Sequence, residues 1–298
     1  MNRTRRQAVL AFAIWVGALM SAQLGAGPAL AEPEPQRIVV AGGDLTEIVF
    51  ALGAGDRVVG VDSTSTWPAA ATEREQIGYV RRLSPEGILS LSPDLVIAAH
   101  DAGPDIALEQ LEAAGVKIAQ APQAETAEAI ERKIAFVGEA LGLGEKASVL
   151  AEDFSSSLST VKDKVAKLDG TPRVLFILSV RNGAPLIGGA GTTADEMIAL
   201  AGGVNAGGEV DGYKPMNQEA IIAAAPDIVL MMAQHAERIG GLESVMTRPE
   251  IALTPAGQEG NGVVMDGMLL LGFGPRTPDA IAELARALHP ESAAAAGL

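Results

Sequence analysis

From Arg37 onward, short apolar runs closed by glycine or a polar turn alternate with amphipathic stretches, the pattern of an α/β chain. Arg37 to Ala41 is one such run; it ends in Gly42-Gly43 and predicts a buried strand with a tight turn. Next, Ile48, Val49 and Leu52 fall on one helical face, with Asp44 or Thr46 as cap and Gly53 to Gly55 as terminator. Arg57 to Val61 is a second strand, so the segment predicts a parallel strand-helix-strand unit. Further on, Ser84 stands as N-cap, Pro85 at the first helical position and Glu86 in the first turn, before a buried strand from Leu95 to Ala99. A helix from Glu109 to Ala114 and a strand from Val116 to Ala119 complete a first lobe, residues 32–122.

The rhythm then breaks. Ile130, Ile134, Val137 and Leu141 mark an amphipathic helix from Thr126 to Leu141, and a second helix from Lys146 to Leu168 follows with no strand between them. Two successive helices mark the lobe boundary, and residues 123–143 are expected to connect the lobes. Alternation resumes over residues 144–298. Arg173 to Val180 reads as a strand followed by a glycine-rich loop through Gly191, and Ala194 to Ala201 as a helix. Strands over Ile228 to Met232 and Val263 to Asp266, then a last helix capped at Thr277-Pro278, complete it, with Glu291 to Leu298 as a frayed tail.

The second lobe repeats the first. SPEGILSLSPDLVI (Ser84 to Ile97) aligns without a gap with NQEAIIAAAPDIVL (Asn217 to Leu230), matching Ser84 with Asn217, Glu86 with Glu219, Pro93 with Pro226 and Asp94 with Asp227. Just upstream, Gly78-Tyr79 and Gly212-Tyr213 fall within one residue of the same register. In open α/β sheets ligands bind beyond the carboxyl ends of the strands, so facing lobes would make a cleft with a tyrosine on each side. The alternative is a shared packing unit whose tyrosines are loop anchors.

Composition narrows the function. Arg3, Arg5 and Arg6, the apolar run Ala8 to Ala22 and Ala29-Leu30-Ala31 read as a secretory signal peptide over residues 1–31, cleaved after Ala31. Cleavage would leave 37 acidic against 19 basic residues, a net charge of −18 instead of −15. So acidic a chain is a poor partner for nucleic acid or anionic lipid. With no cysteine there is no disulfide, thiolate metal site or cysteine nucleophile. The expected address is the periplasm.

On AGGDLTEIVFALGAGDRVVGVDSTSTWP, IGYVRRLSPEGILSLSPDLVI, TTADEMIALAGGVNA, GYKPMNQEAIIAAAPDIVLMM and MDGMLLLGFGPRTP, the chain resembles the periplasmic haem-binding proteins of ABC importers. These belong to a class that also serves siderophores and vitamin B12. The resemblance implies two Rossmann-like α/β lobes joined by a single long helix, with the ligand in the cleft between them. It implies ferric haem (ferric protoporphyrin IX) as the transported ligand and Tyr79 as its axial ligand. Phenolate is a haem ligand in its own right, and a cation beside it favours the ionised form. Arg81 is the candidate for that, and Arg81 and Arg82 also suit haem propionates. Tyr213 would line the pocket or compete for the second axial position.

Of the three histidines, His100 and His235 follow predicted strands and are candidates for that second position, while His289 is expected at the surface. Glu86 and Glu219 are, by resemblance, the carboxylates that dock on the permease of an inner-membrane permease and ATPase complex. An outer-membrane haem receptor system is the expected upstream partner, and a monomer the expected state. A siderophore or cobalamin carrier would share the fold, although cobalamin is usually gripped by aromatics. Enzymatic readings fare worse: the segment Gly188 to Thr193 lacks a P-loop lysine, and neither it nor Gly42-Gly43 makes GxGxxG.

Overall fold

The computed structural model describes residues 34–124, 126–181 and 183–298; the expected signal peptide and its cleavage site lie outside them. The first half of the chain runs β1 (Ile38–Ala41), α1 (Gly43–Ala51), β2 (Val58–Val61), β3 (Glu75–Gln76), β4 (Gly78–Tyr79), β5 (Arg82–Leu83), α2 (Pro85–Ser90), β6 (Leu95–Ala98), α3 (Asp105–Ala113) and β7 (Lys117–Gln120). Two helices follow, α4 (Ala129–Leu141) and α5 (Gly144–Val165). The second half runs β8 (Arg173–Arg181), β9 (Ala184–Gly188), α6 (Thr193–Leu200), β10 (Val204–Asn205), β11 (Tyr213–Pro215), α7 (Gln218–Ala224), β12 (Ile228–Met232) and α8 (Ala233–Arg238). It closes with α9 (Leu242–Met246), α10 (Pro249–Ala252), α11 (Pro255–Glu259), β13 (Gly262–Met265), α12 (Gly267–Leu271), α13 (Thr277–Leu288) and α14 (Ala293–Ala296).

Two sheets result. The first has the order β3-β2-β1-β6-β7, all parallel. The second has the order β11-β9-β8-β12-β13, with β10 also paired to β8; β8, β12 and β13 are parallel, and β9 runs antiparallel to β8. The strand β9 replaces part of the expected glycine-rich loop, because the Gly183 turn folds the chain straight back on β8.

The sequence repeat is a structural one. The Ser84 side chain accepts from Gly87 N at 3.3 Å and the Asn217 side chain from Ala220 N at 2.8 Å, capping α2 and α7 at matching positions. Each helix exits through a non-glycine residue in the left-handed region, Ser92 at φ 48° and Ala225 at φ 43°. That conformation costs roughly 1–2 kcal/mol, so something must hold it. Asp94 accepts from the backbone of Arg37 at 3.0 Å, and Asp227 from that of Arg173 at 2.8 Å. The guanidiniums of the same two arginines reach back to Ser92 O (3.0 Å) and Ala224 O (2.9 Å). In both lobes an Asp-Arg latch therefore ties the helix exit to the start of the central strand.

Alternation along the strands sorts the core into layers. Val39 and Ala41 join Val96, Ile88 and Leu111 on one face of the first sheet, and Leu175 and Ile177 join Val229 and Ile221 on the matching face of the second. The opposite faces share one layer. In it Ile38, Val40 and Ile97 are continuous with Val174, Phe176 and Leu230 through Ile134 and Val137 of α4 and Phe154 and Leu158 of α5.

Polar groups bolt the same seam. Arg276 donates to both carboxylate oxygens of Glu47, at 3.0 and 2.5 Å, and stacks 4.8 Å from the Trp67 ring centre. Lys133 on α4 is 4% exposed and donates to Asp44 (2.5 Å) and Phe273 O (3.0 Å). Two expectations for the C-terminal end are corrected. The tail is not frayed throughout, since α14 buries Ala293, and His289 is 5% exposed instead of lying at the surface. Its Nδ1 lies 3.1 Å from Asp169 O. Among the described residues no helix is long and apolar enough to cross a membrane.

Candidate functional site: the cleft between the sheets

A cavity of about 720 Å³ opens where the carboxyl ends of β1, β2 and β6 face those of β12 and β13. Its volume is that of a small-molecule site.

Tyr79 stands on its wall on the hairpin β4–β5. Gly78 begins this hairpin at φ +93°, a conformation that a residue with a Cβ adopts only under strain. Val80 and Leu83 are buried and fix the hairpin, and Tyr79, Val80 and Arg81 line the cavity. The hairpin is pinned to the next loop by Gly103 N to Val80 O (2.9 Å) and Leu83 N to Gly103 O (2.8 Å). That loop carries His100 and Asp101, both on the cavity wall. Arg81 Nη1 donates to the Tyr79 hydroxyl while its Nη2 donates to Asp101 Oδ2. Burial works against the charged guanidinium, but Asp101 and Tyr79 outweigh it and hold Arg81 above its ordinary range.

Beneath the hairpin, Asp62 is fully buried and organises two loops. It accepts from Gly42 N at 2.9 Å, Thr64 N at 3.0 Å and Ser65 Oγ at 3.1 Å. Gly43 has no room for a side chain, since a Cβ there would lie 2.4 Å from Thr64 O.

Tyr213 occupies the other side of the cavity. It sits on β11, opposite Gly188 of β9, with its hydroxyl 3.3 Å from Thr193 Oγ1. Next to it come Met232, Gln234, Arg238 and Met268. Gln234 is fixed by Asp266 (2.5 Å) and Gly267 N (3.0 Å), and Arg238 donates to Gln234 O at 2.9 Å. Among the described residues Arg238 makes no ion pair, whereas Lys133 and Arg81, the other cations of the lining, each hold a carboxylate.

The residues singled out in the sequence thus divide. Tyr79, Arg81, Tyr213 and His100 meet at one cavity. Arg82 pairs with Tyr79 across the hairpin but is exposed away from the lining. His235, one step along α8 from Gln234, is also outside the lining, and its buried Nε2 has no hydrogen-bond partner among the described residues. Burial, reinforced by Arg238, lowers its pKa and favours the neutral ring. Glu86 and Glu219 are exposed in the first turns of α2 and α7, away from the cavity. Asp101, Lys133, Gln234 and Arg238 were not found from sequence. For Lys133 a signal exists, a charge three residues after Ile130 in an otherwise apolar stripe.

A second hollow, about 730 Å³, lies near the start of β8 and the end of α13. Its charged lining is acidic, from Asp169, Asp227 and Glu291, and it is remote from the carboxyl ends of the strands. Among the described residues no three His, Asp or Glu side chains converge as metal donors.

The sequence from residue 38 to 268 matches the family model for periplasmic binding protein. The chain belongs to this family of periplasmic binding proteins. Within it, the periplasmic heme-binding protein RhuT from Roseiflexus sp. RS-1 superposes with a TM-score of 0.83 at 40% identity, over 86% of this chain and 98% of that one. A periplasmic heme-binding protein from Pseudomonas aeruginosa gives 0.80 at 35%, over 86% and 94%. A vitamin B12-binding protein of Vibrio parahaemolyticus is 29% identical over 215 residues, 72% of this chain and 76% of its own length. The two-lobed fold of this periplasmic binding protein is therefore that of its relatives, and its strand ends frame the cavity.

Proposed function

We propose that this periplasmic binding protein captures ferric haem in the cleft through the phenolate oxygen of Tyr79 and delivers it to an inner-membrane ABC permease and ATPase complex. The observation that carries the reading is the Tyr79–Arg81 pair on the cavity wall. A phenolate is a hard oxygen donor suited to ferric iron, and a guanidinium N–H on that oxygen stabilises its anionic form. Arg238, which holds no carboxylate among the described residues, suits a ligand carboxylate. Tyr213, across the cavity, and His100, on the loop pinned to the Tyr79 hairpin, are candidates for a second donor.

The heme-binding proteins among the solved relatives, at 35% and 40% identity, support this ligand over the cobalamin of a more distant relative. So does the wall itself, where the aromatic side chains among the described lining residues are Tyr79 and Tyr213. The protein binds and hands over its ligand without converting it. It is exported, cleaved after Ala31, and works as a monomer supplied by an outer-membrane haem receptor system. Residues 32–122 and 144–298 act as its lobes, residues 123–143 connect them, and Glu86 and Glu219 meet basic residues of the permease, one from each lobe.

The test is the visible spectrum of the chain from Glu32 with ferric haem. A high-spin tyrosinate spectrum is expected, lost in Tyr79→Phe; unchanged binding by that variant overturns the assignment.

A further inference from the structure

Taking Tyr79 as the iron ligand, we infer that Asp101 is a positioning residue for it, acting through Arg81. Arg81 is a flexible side chain, 58% exposed, and in a cleft that takes a carboxylate ligand it has a competing partner. Unrestrained, it would turn from the phenol oxygen toward the ligand's own carboxylates. The Asp101 carboxylate occupies Nη2, which leaves Nη1 aimed at Tyr79. A guanidinium is a rigid planar fork, so fixing one nitrogen on a carboxylate fixes the direction of the other.

The arrangement is built rather than incidental. Asp101 and Arg81 are 20 residues apart, yet the two backbone bonds between Val80, Leu83 and Gly103 lock their loops into one unit. Asp101 also keeps most of its side chain out of solvent, at 29% exposure. The carboxylate, guanidinium and phenol form a chain that ends on the iron-binding atom. Asp101 thus decides whether the phenolate keeps its hydrogen bond when haem is bound, and with it how strongly that oxygen donates to the metal.

The experiment reads the phenolate-to-iron charge-transfer band. Asp101→Ala is expected to move it to longer wavelength, since a phenolate without its hydrogen bond is the stronger donor. Asp101→Asn, which keeps an oxygen acceptor, is expected to lie between Asp101→Ala and the native protein. Arg81→Ala is expected to reproduce the Asp101→Ala band, and the double variant to match Arg81→Ala alone, as groups acting in series do.

An Asp101 that acted directly on the iron by its charge would keep its effect in the Arg81→Ala background. That outcome overturns the inference, as does an unchanged band in Asp101→Ala. Tyr79→Phe keeps the two claims apart. If it abolishes the band while Asp101→Ala leaves it untouched, the iron ligand stands and the positioning role falls. If Tyr79→Phe keeps the native spectrum, the ligand assignment falls with it. Circular dichroism of each ligand-free variant checks that the fold is retained.

Discussion

Arg81 Nη1 donates to the hydroxyl of Tyr79, two residues back on the same hairpin, and both side chains face the interlobe cavity. The hairpin's buried residues, Val80 and Leu83, are the fixed points of this pair, so the functional atoms are mounted on a packed support and not on a free loop.

Tyr79→Phe removes one oxygen from a side chain that is 38% exposed, so the fold should be unaffected. Haem titration followed by visible absorption should show loss of the tyrosinate spectrum and a fall in affinity of tenfold or more, as expected when a charge-assisted bond is lost. With Tyr79 as the iron ligand, Tyr213→Phe should retain the tyrosinate band.

The two histidines should separate cleanly. His100 lines the cavity and His235 does not. If a low-spin component is present in the haem complex, His100→Ala should diminish it and His235→Ala should leave it unchanged, as read by electron paramagnetic resonance. A loss confined to His235→Ala would mean that α8 turns on binding.

The seam between the lobes should be measurable as stability. Arg276→Ala strands the carboxylate of Glu47, which is 7% exposed, and should cost about 3 kcal/mol, seen as a melting temperature lower by roughly 5–10 °C. Burial raises the Glu47 pKa above 4.5, against the hydrogen bond and charge of Arg276, with Asp44 and Asp266 adding to the rise. The folded chain therefore holds this proton more tightly than the unfolded one does. Its contribution is complete below pH 4.5 and is lost as pH rises through the folded value. In denaturant titrations the native protein should accordingly lose stability relative to Glu47→Gln between pH 4.5 and neutrality. A constant difference would show that the ion pair has cancelled the burial penalty.

Glu86→Ala with Glu219→Ala should spare haem affinity and lower uptake in cells. Both carboxylates are exposed and remote from the cavity, so any effect on binding would contradict a docking role.

Much of this was legible in the sequence because it is written in local chemistry. Capping Ser84 and Asn217, the paired Pro93 and Pro226, and short aliphatic runs specify the repeated helix-strand unit without reference to distant residues. The repeat in turn places the two tyrosines on opposing walls. The parts that were not legible depend on partners far along the chain. The partner of Lys133, Asp44, lies 89 residues away, and Arg276 meets Glu47 across 229 residues. Gln234 and His235 differ by one position on a short helix, and periodicity over so few residues cannot tell which faces the cleft. His289 looked exposed because it ends α13, and its burial follows from the contact of its ring with the backbone at Asp169.

The aliphatic layer that runs unbroken beneath both sheets presets the width of the cleft. Any wide gaping of the cleft would shear that layer, and every 100 Å² of apolar surface so wetted would cost about 2.5 kcal/mol. Motion of the two sheets about the cleft is thus confined to small adjustments that leave this layer intact.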